Sequence, residues 1–181
     1  MNWYAVQSGE IVMQDETLNI NDVHIPSWDE LPDIALYMDQ LLNFINERSK
    51  PFTASAGHPE LTATMVNNYV RAKIVDAPVK KKYSKKSLAM IIVVYLLKSC
   101  YTTEEIDKLI RMGLELGSPE EIYERFRVAM EEAIKSVFSG HIDLWDEHLE
   151  GRENKYLMGN FALSFACKLY VQKEFLMKSE K

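Results

Sequence analysis

The residues best equipped for chemistry lie close together. Asn67, Asn68 and Arg71 are spaced to share one side of a helix, Thr62 and Thr64 precede them, and Lys73, Lys80, Lys81, Lys82, Lys85 and Lys86 follow. Ammonium and guanidinium groups neutralise phosphate, and the amide and guanidinium of Asn and Arg present the paired donors and acceptors that read base edges. Residues 71–86 hold seven basic residues against Asp76, a net +6 in a chain whose total is −6, so the other 165 residues sum to −12. From Met1 to Glu47 there are nine acidic residues and no Lys or Arg. A cationic segment on an acidic background suits a face that must meet an anion while the rest stays soluble. A lysine run in isolation is ordinarily a solvated loop. This one stands between a short helix carrying Asn and Arg and a strongly apolar helix able to hold it rigidly.

Other groupings carry less. His141, Asp143, Asp146, Glu147 and His148 fall within eight residues, but they lack the His-Glu-x-x-His order and any Cys partner, and read as polar surface with no metal. Cys100 and Cys167 sit in apolar helical context, where Cys is a small core residue. Glycine-rich phosphate loops, nucleophile elbows and triad signatures are absent, so neither an enzyme nor a cofactor is expected.

The elements that must position the basic segment follow from composition and periodicity. With 181 residues, 47% hydrophobic and only 7 Gly and 6 Pro, the chain can bury a core. Two cysteines make no disulfide framework, and the stretch Met1–Met13 has neither the charge nor the apolar run of a secretory signal, so a cytoplasmic location is expected. The ten-residue run Leu88–Leu97 rises only about 15 Å as a helix, too short to cross a bilayer, and reads as a buried central helix.

Residues 1–27 are irregular, with a hairpin conceivable around Ser8-Gly9. Helices are predicted over Pro32 to Arg48, Thr62 to Arg71, Leu88 to Lys98 (capped by Ser84 or Ser87), from Thr102 onward, Pro119 to Phe138, and Asn154 to Met177. Thr102 with Glu105 and Ser118 with Glu121 have capping-box spacing, and Gly140 suits a helix end. Ser49–Glu60, with two prolines and a glycine, reads as a loop. The last helix has a wide apolar stripe, suited either to a deep place in its own domain or to a dimer interface.

Residues 61–110 run through Asn67-Asn68-Tyr69-Val70-Arg71, the step Ile74-Val75, Pro78, the basic stretch Lys80-Lys81-Lys82-Tyr83-Ser84, the apolar helix Leu88–Lys98 and Thr102 through Ile106. In this succession they resemble the DNA-binding region of MerR-type regulators, the basic stretch standing as the wing. With Leu31-Pro32-Asp33-Ile34 and Tyr37-Met38-Asp39-Gln40 upstream, the chain is similar to the bacterial proteins grouped as domain of unknown function 1836. The resemblance implies an all-α fold: a MerR-like winged helix-turn-helix with a small β wing over residues 28–115, preceded by an irregular segment 1–27 and followed by a C-terminal helical region 116–181 that could dimerise. It implies that Thr62, Thr64, Asn67, Asn68 and Arg71 face the major groove or its flanking phosphates, that Lys80–Lys82 form the wing, and that Lys85 and Lys86 reach the backbone. Tyr69 and Tyr83 are expected to be packing residues.

The expected activity is therefore that of a transcriptional regulator binding double-stranded DNA as a homodimer, without membrane attachment and with no effector specified. Five or six lysines on phosphate would give log affinity against log salt a slope of roughly −5. The competing expectation is a protein–protein adaptor that keeps the MerR-like fold and uses the basic segment to dock an acidic partner, or its own acidic first 47 residues. The departure from the MerR pattern is the interval Ser49–Leu61, far longer than the three- or four-residue turn of a compact helix-turn-helix.

Overall fold

A computed structural model describes residues 23–56, 58–140 and 152–176. The described chain is mostly helical. In chain order its elements are strand β1 (Leu36–Tyr37), helices α1 (Met38–Ala56) and α2 (Ala63–Arg71), strand β2 (Lys82–Tyr83), and helices α3 (Lys85–Leu97), α4 (Thr103–Leu114), α5 (Pro119–Ser139) and α6 (Arg152–Val171), the last continuing as a π-helical turn, Gln172–Leu176. The hairpin considered around Ser8-Gly9 and the His141–His148 cluster lie outside the described residues. None of the described helices is long and apolar enough to cross a membrane.

Local signals set most helix boundaries. Ser84 caps α3 by accepting the Ser87 amide, and complete capping boxes open α4 (Thr102 with Glu105) and α5 (Ser118 with Glu121, and Pro119 in the first turn). Gly140 ends α5 at φ 73°, the left-handed position where a side chain is disfavoured. Every residue of α3 from Ser87 to Leu97 is buried, so this helix is the axis on which the others pack. Leaving water stabilises each of its large side chains by about 1.5–3 kcal/mol.

Two boundaries depart from the expected ones. Leu36 and Tyr37, inside the span read as the first helix, form β1 and pair antiparallel with Tyr83 and Lys82, so α1 begins only at Met38. At its other end α1 continues through Pro51 to Ala56, across most of the expected loop. The reason is tertiary: Phe52 is buried, with its ring edge-on to Phe165 of α6 at 6.0 Å, and this anchoring outweighs the backbone bond that proline cannot donate. The connection into α2 is therefore residues 57–62, about half the interval suggested by composition.

That connection is pinned by one amide. Asn46 of α1 accepts from the Leu61 backbone N–H at 2.8 Å and donates to the Leu61 carbonyl at 3.0 Å. Asn46→Ala leaves both half-buried backbone groups unpaired and is expected to cost about 2 kcal/mol in denaturant unfolding, with Asn46→Asp, which retains only the acceptor, falling between.

The C-terminal helices lie side by side and run in the same direction, since Phe126 stacks on Phe161 at 5.9 Å and Phe138 meets Tyr170 edge-on at 5.1 Å. The apolar face of α6 is thereby used within the chain: Phe161, Ala162, Phe165, Ala166 and Leu169 are all buried. Of the two uses open to that stripe, the structure shows packing within the chain.

Residues 23–31 have no regular structure, yet they form a strap fastened to α5. The Ile25 amide donates to Glu131 at 2.8 Å, the Trp28 amide to Glu124 at 2.5 Å, and the Tyr123 hydroxyl to the Pro26 carbonyl at 2.7 Å. Arg127, between the two carboxylates, binds Glu124 at 2.9 Å and Glu131 at 3.2 Å. The strap then leads directly into β1, and so into the basic segment.

Candidate nucleic-acid interface

Helix α2 is short and strongly two-sided. Val66 and Tyr69 are buried against the core, while Thr64, Asn67, Asn68 and Arg71, at i, i+3, i+4 and i+7, form one exposed stripe. Among the described residues, the side chains of that stripe make no hydrogen bond or ion pair. Thr62 is differently employed: its hydroxyl caps α2 by accepting the Met65 amide at 3.3 Å. It stands at the end of the stripe with part of its acceptor capacity already in use. Tyr69 and Tyr83 are both buried, as expected, and burial pushes the Tyr69 phenol up to about 12.

The exit from α2 is a Schellman turn. The Ile74 amide bonds the Tyr69 carbonyl at 3.2 Å and the Lys73 amide bonds the Val70 carbonyl at 2.9 Å, which puts Lys73 at φ 61°. Val79 and Lys82 then exchange two backbone hydrogen bonds of 3.0 Å across a two-residue turn whose central residues, Lys80 and Lys81, have φ of 50° and 66°. Two consecutive left-handed residues are the mark of a type I′ hairpin turn, a position that favours Asn-Gly. Lys73, Lys80 and Lys81 are the only positive-φ non-glycine residues among those described. Each left-handed lysine costs on the order of 1 kcal/mol relative to glycine.

The remaining cations are more encumbered. Lys82 lies 4.8 Å over the Tyr37 ring on the neighbouring strand. Lys85 is mostly covered, ion-paired to Asp33 at 2.6 Å and 5.4 Å from the Trp28 ring, with Trp28 in the strap and Asp33 in the stretch between strap and β1. Lys86 pairs with Asp76 at 2.9 Å and stays largely in solvent. Of the residues singled out by sequence, then, the structure leaves Thr64, Asn67, Asn68, Arg71, Lys80 and Lys81 exposed and with no partner among the described residues, Thr62 and Lys82 exposed or half-exposed but engaged, and Lys85 and Lys86 tied to carboxylates. Lys73, which belongs to the basic segment but to which the resemblance assigns no contact, is exposed as well, two residues beyond Arg71 where a helix ordinarily ends on glycine.

Among the described residues no three His, Cys, Asp or Glu side chains gather as a metal site would require. Cys100 and Cys167 are free thiols, each half-buried. The cavity between α3, α4, α5 and α6, lined by residues such as Met90, Leu109, Ile122 and Met158, is apolar and about 40 Å³. Among the described residues no charged side chain lines it.

A family model described as a domain of unknown function, DUF1836, matches residues 26–126, more than half the chain. This chain belongs to the DUF1836 family. The DUF1836 segment begins within the strap at Pro26 and ends at Phe126 in α5, so it contains the whole basic segment, α2, the small sheet, and the Tyr123 and Glu124 contacts that fasten the strap. No curated protein and no solved structure matches the chain.

Proposed function

We infer that this DUF1836 protein is a DNA-binding transcriptional regulator of MerR-like winged-helix type, acting in the cytoplasm as a homodimer. α2 is its reading helix: Asn67 and Asn68 have exposed amides, unpartnered among the described residues, able to bond adenine N6 and N7 in the major groove, and Arg71 suits guanine O6 and N7 or a phosphate. The Lys80-Lys81 turn is the wing, and Lys73 adds a phosphate contact between the two.

One observation carries the reading. All three left-handed non-glycine positions of the described chain are lysines, all three lie in the basic segment, and all are exposed with no partner among the described residues. Glycine or asparagine would relieve the strain at each. Lysines in such positions make sense where the charge does work outside the fold.

The reading is tested by selecting bound fragments from a pool of genomic duplexes with the full chain and with an Asn67→Ala/Asn68→Ala variant. The parent is expected to enrich a shared sequence, and the variant to keep its salt-dependent binding while losing that enrichment by about 10-fold or more. No enrichment by the parent would contradict a sequence-reading role.

A second reading, an adaptor docking an acidic protein, is favoured by two nearly bare aliphatic side chains beside the lysines, Ile34 and Val79, 74% and 75% exposed. Binding to an acidic polypeptide that a duplex fails to displace would support it over the first.

A further inference from the structure

Two buried polar side-chain atoms lack a hydrogen-bond partner among the described residues: Nε2 of His58 and the hydroxyl of Tyr69. One belongs to the connection leading into α2 and the other to the buried face of α2 itself. Such atoms are rare in folded proteins, and each asks for a physical reason.

Their surroundings form one cluster. The His58 ring tilts against the Tyr95 ring of α3 at 4.5 Å, and the Tyr95 hydroxyl donates to the Pro59 carbonyl at 2.9 Å with Ser49 of α1 beside it. Nδ1 of His58 stands 3.5 Å from the same Pro59 carbonyl. The connection is thus held to the core by a ring contact and a shared carbonyl at residues 58 and 59, and by Asn46 at Leu61.

The titratable and charged groups around His58 are Glu60 on its own segment, Tyr69 of α2, Tyr95 of α3 and Lys168 of α6, whose ammonium binds the Ser99 carbonyl. Among the described residues, no carboxylate forms an ion pair with the His58 ring. A proton on this ring would create a buried cation that pairs with no carboxylate among the described residues, with the Pro59 and Leu96 carbonyls beside it and the Lys168 ammonium as a nearby like charge.

We propose that His58 is a proton-operated latch on α2: the neutral ring holds the connection against Tyr95, and protonation expels it, loosening residues 58–62 and unseating the helix. The effect of the latch on nucleic acid rests on the reading of α2 given above; the latch itself does not.

The direction of the pH effect follows from the burial. Desolvation, aided by Lys168 and opposed by the Pro59 and Leu96 carbonyls, holds the His58 pKa below its ordinary value. The unfolded or released ring takes up its proton near 6.5, so the stability contributed by neutral His58 is complete above about pH 6.5 and is lost as pH falls below it, toward the lower folded value. His24, the other described histidine, lies apart from this cluster, in the strap 2.7 Å from Glu30 and 3.5 Å from Glu131.

The test is amide hydrogen exchange on the full chain without DNA, from pH 7.5 to 5, corrected for intrinsic exchange. Protection of Val66–Arg71 is expected to fall as pH drops below about 6.5, by up to about 10-fold per pH unit until the lower folded value is passed, while α5 keeps its own. His58→Phe, which keeps an aromatic ring against Tyr95, is expected to abolish the dependence, and His24→Gln to leave it. Should the Phe variant not fold, His58→Gln serves the same purpose. Flat protection of α2, its loss together with α5, or the same pH dependence in the His58 variant would each overturn the latch. A latch that operates in a chain that never binds duplex DNA would leave the proposal standing and remove only the DNA reading.

Discussion

Lys80→Asn/Lys81→Gly is expected to make the protein more stable and, on the proposed DNA-binding reading, to weaken binding to duplex DNA at the same time. Both lysines sit in left-handed backbone, at φ 50° and 66°, in a two-residue turn closed by reciprocal Val79–Lys82 hydrogen bonds. Asn-Gly is the preferred occupant of that geometry, and relieving two non-glycine left-handed residues should add about 1–2 kcal/mol. For a chain of this size that raises the melting temperature by about 2–4 °C per kcal/mol. Removing one phosphate-bound cation lowers the magnitude of the salt slope by about 0.9, so the double variant should lower it by nearly 2. Thermal unfolding and duplex titration read the two effects separately. A variant that binds as well as its parent removes the turn from the interface, and one that is less stable contradicts the strain argument.

The largest effect on stability is expected at Arg127, which touches neither the core of α3 nor the basic segment. Its guanidinium is 18% exposed and lies between Glu124, 33% exposed, and Glu131, 13% exposed; those carboxylates also accept the Trp28 and Ile25 amides. Arg127→Ala leaves two like charges on one face of α5, partly buried and uncompensated, beneath the strap. Breaking a fully buried pair costs about 3–5 kcal/mol; solvent at Glu124 reduces this to about 2–3 kcal/mol. Arg127→Lys should recover only part, because an ammonium cannot reproduce the fork that reaches both carboxylates. Denaturant unfolding measures the loss, and hydrogen exchange at Ile25 and Trp28 should show the strap opening before the helices do. Unchanged protection at those two amides would mean that Tyr123 and the buried Val23, Ile25 and Leu31 hold the strap without the carboxylates.

The helices set by local chemistry were legible in the sequence. Thr102 with Glu105, Ser118 with Pro119 and Glu121, and Gly140 act within a turn of their own position, and the unbroken apolar run Leu88–Leu97 left few options but a central helix. What escaped depends on distant partners. Pro51 signals a break, and only the burial of Phe52 against Phe165, far along the chain, keeps α1 helical through it. A two-residue strand such as Leu36–Tyr37 has no periodicity to detect, and its partner lies beyond two helices. The strap has no pattern at all, since its bonds reach Glu124 and Glu131, 96 and 106 residues away.

The same division holds for the candidate interface. The polar stripe of α2 follows from helical spacing alone, as does the pairing of Val66 and Tyr69 with the core. Composition cannot separate a free lysine from an engaged one: Lys85 looks like its neighbours until Asp33, 52 residues earlier, is seen beside it. Nor does it show backbone conformation, so Lys73 gave no sign of its left-handed place at the end of α2. The structure therefore narrows seven basic residues to four cations unpaired among the described residues, Arg71, Lys73, Lys80 and Lys81.

That narrowing sets the decisive measurement. Titration of the full chain onto duplex DNA across salt concentrations, followed by fluorescence anisotropy, should give a slope of log affinity against log salt of about −4 per protomer for four phosphate contacts. Absence of binding at low salt, or a slope near zero, would contradict the account.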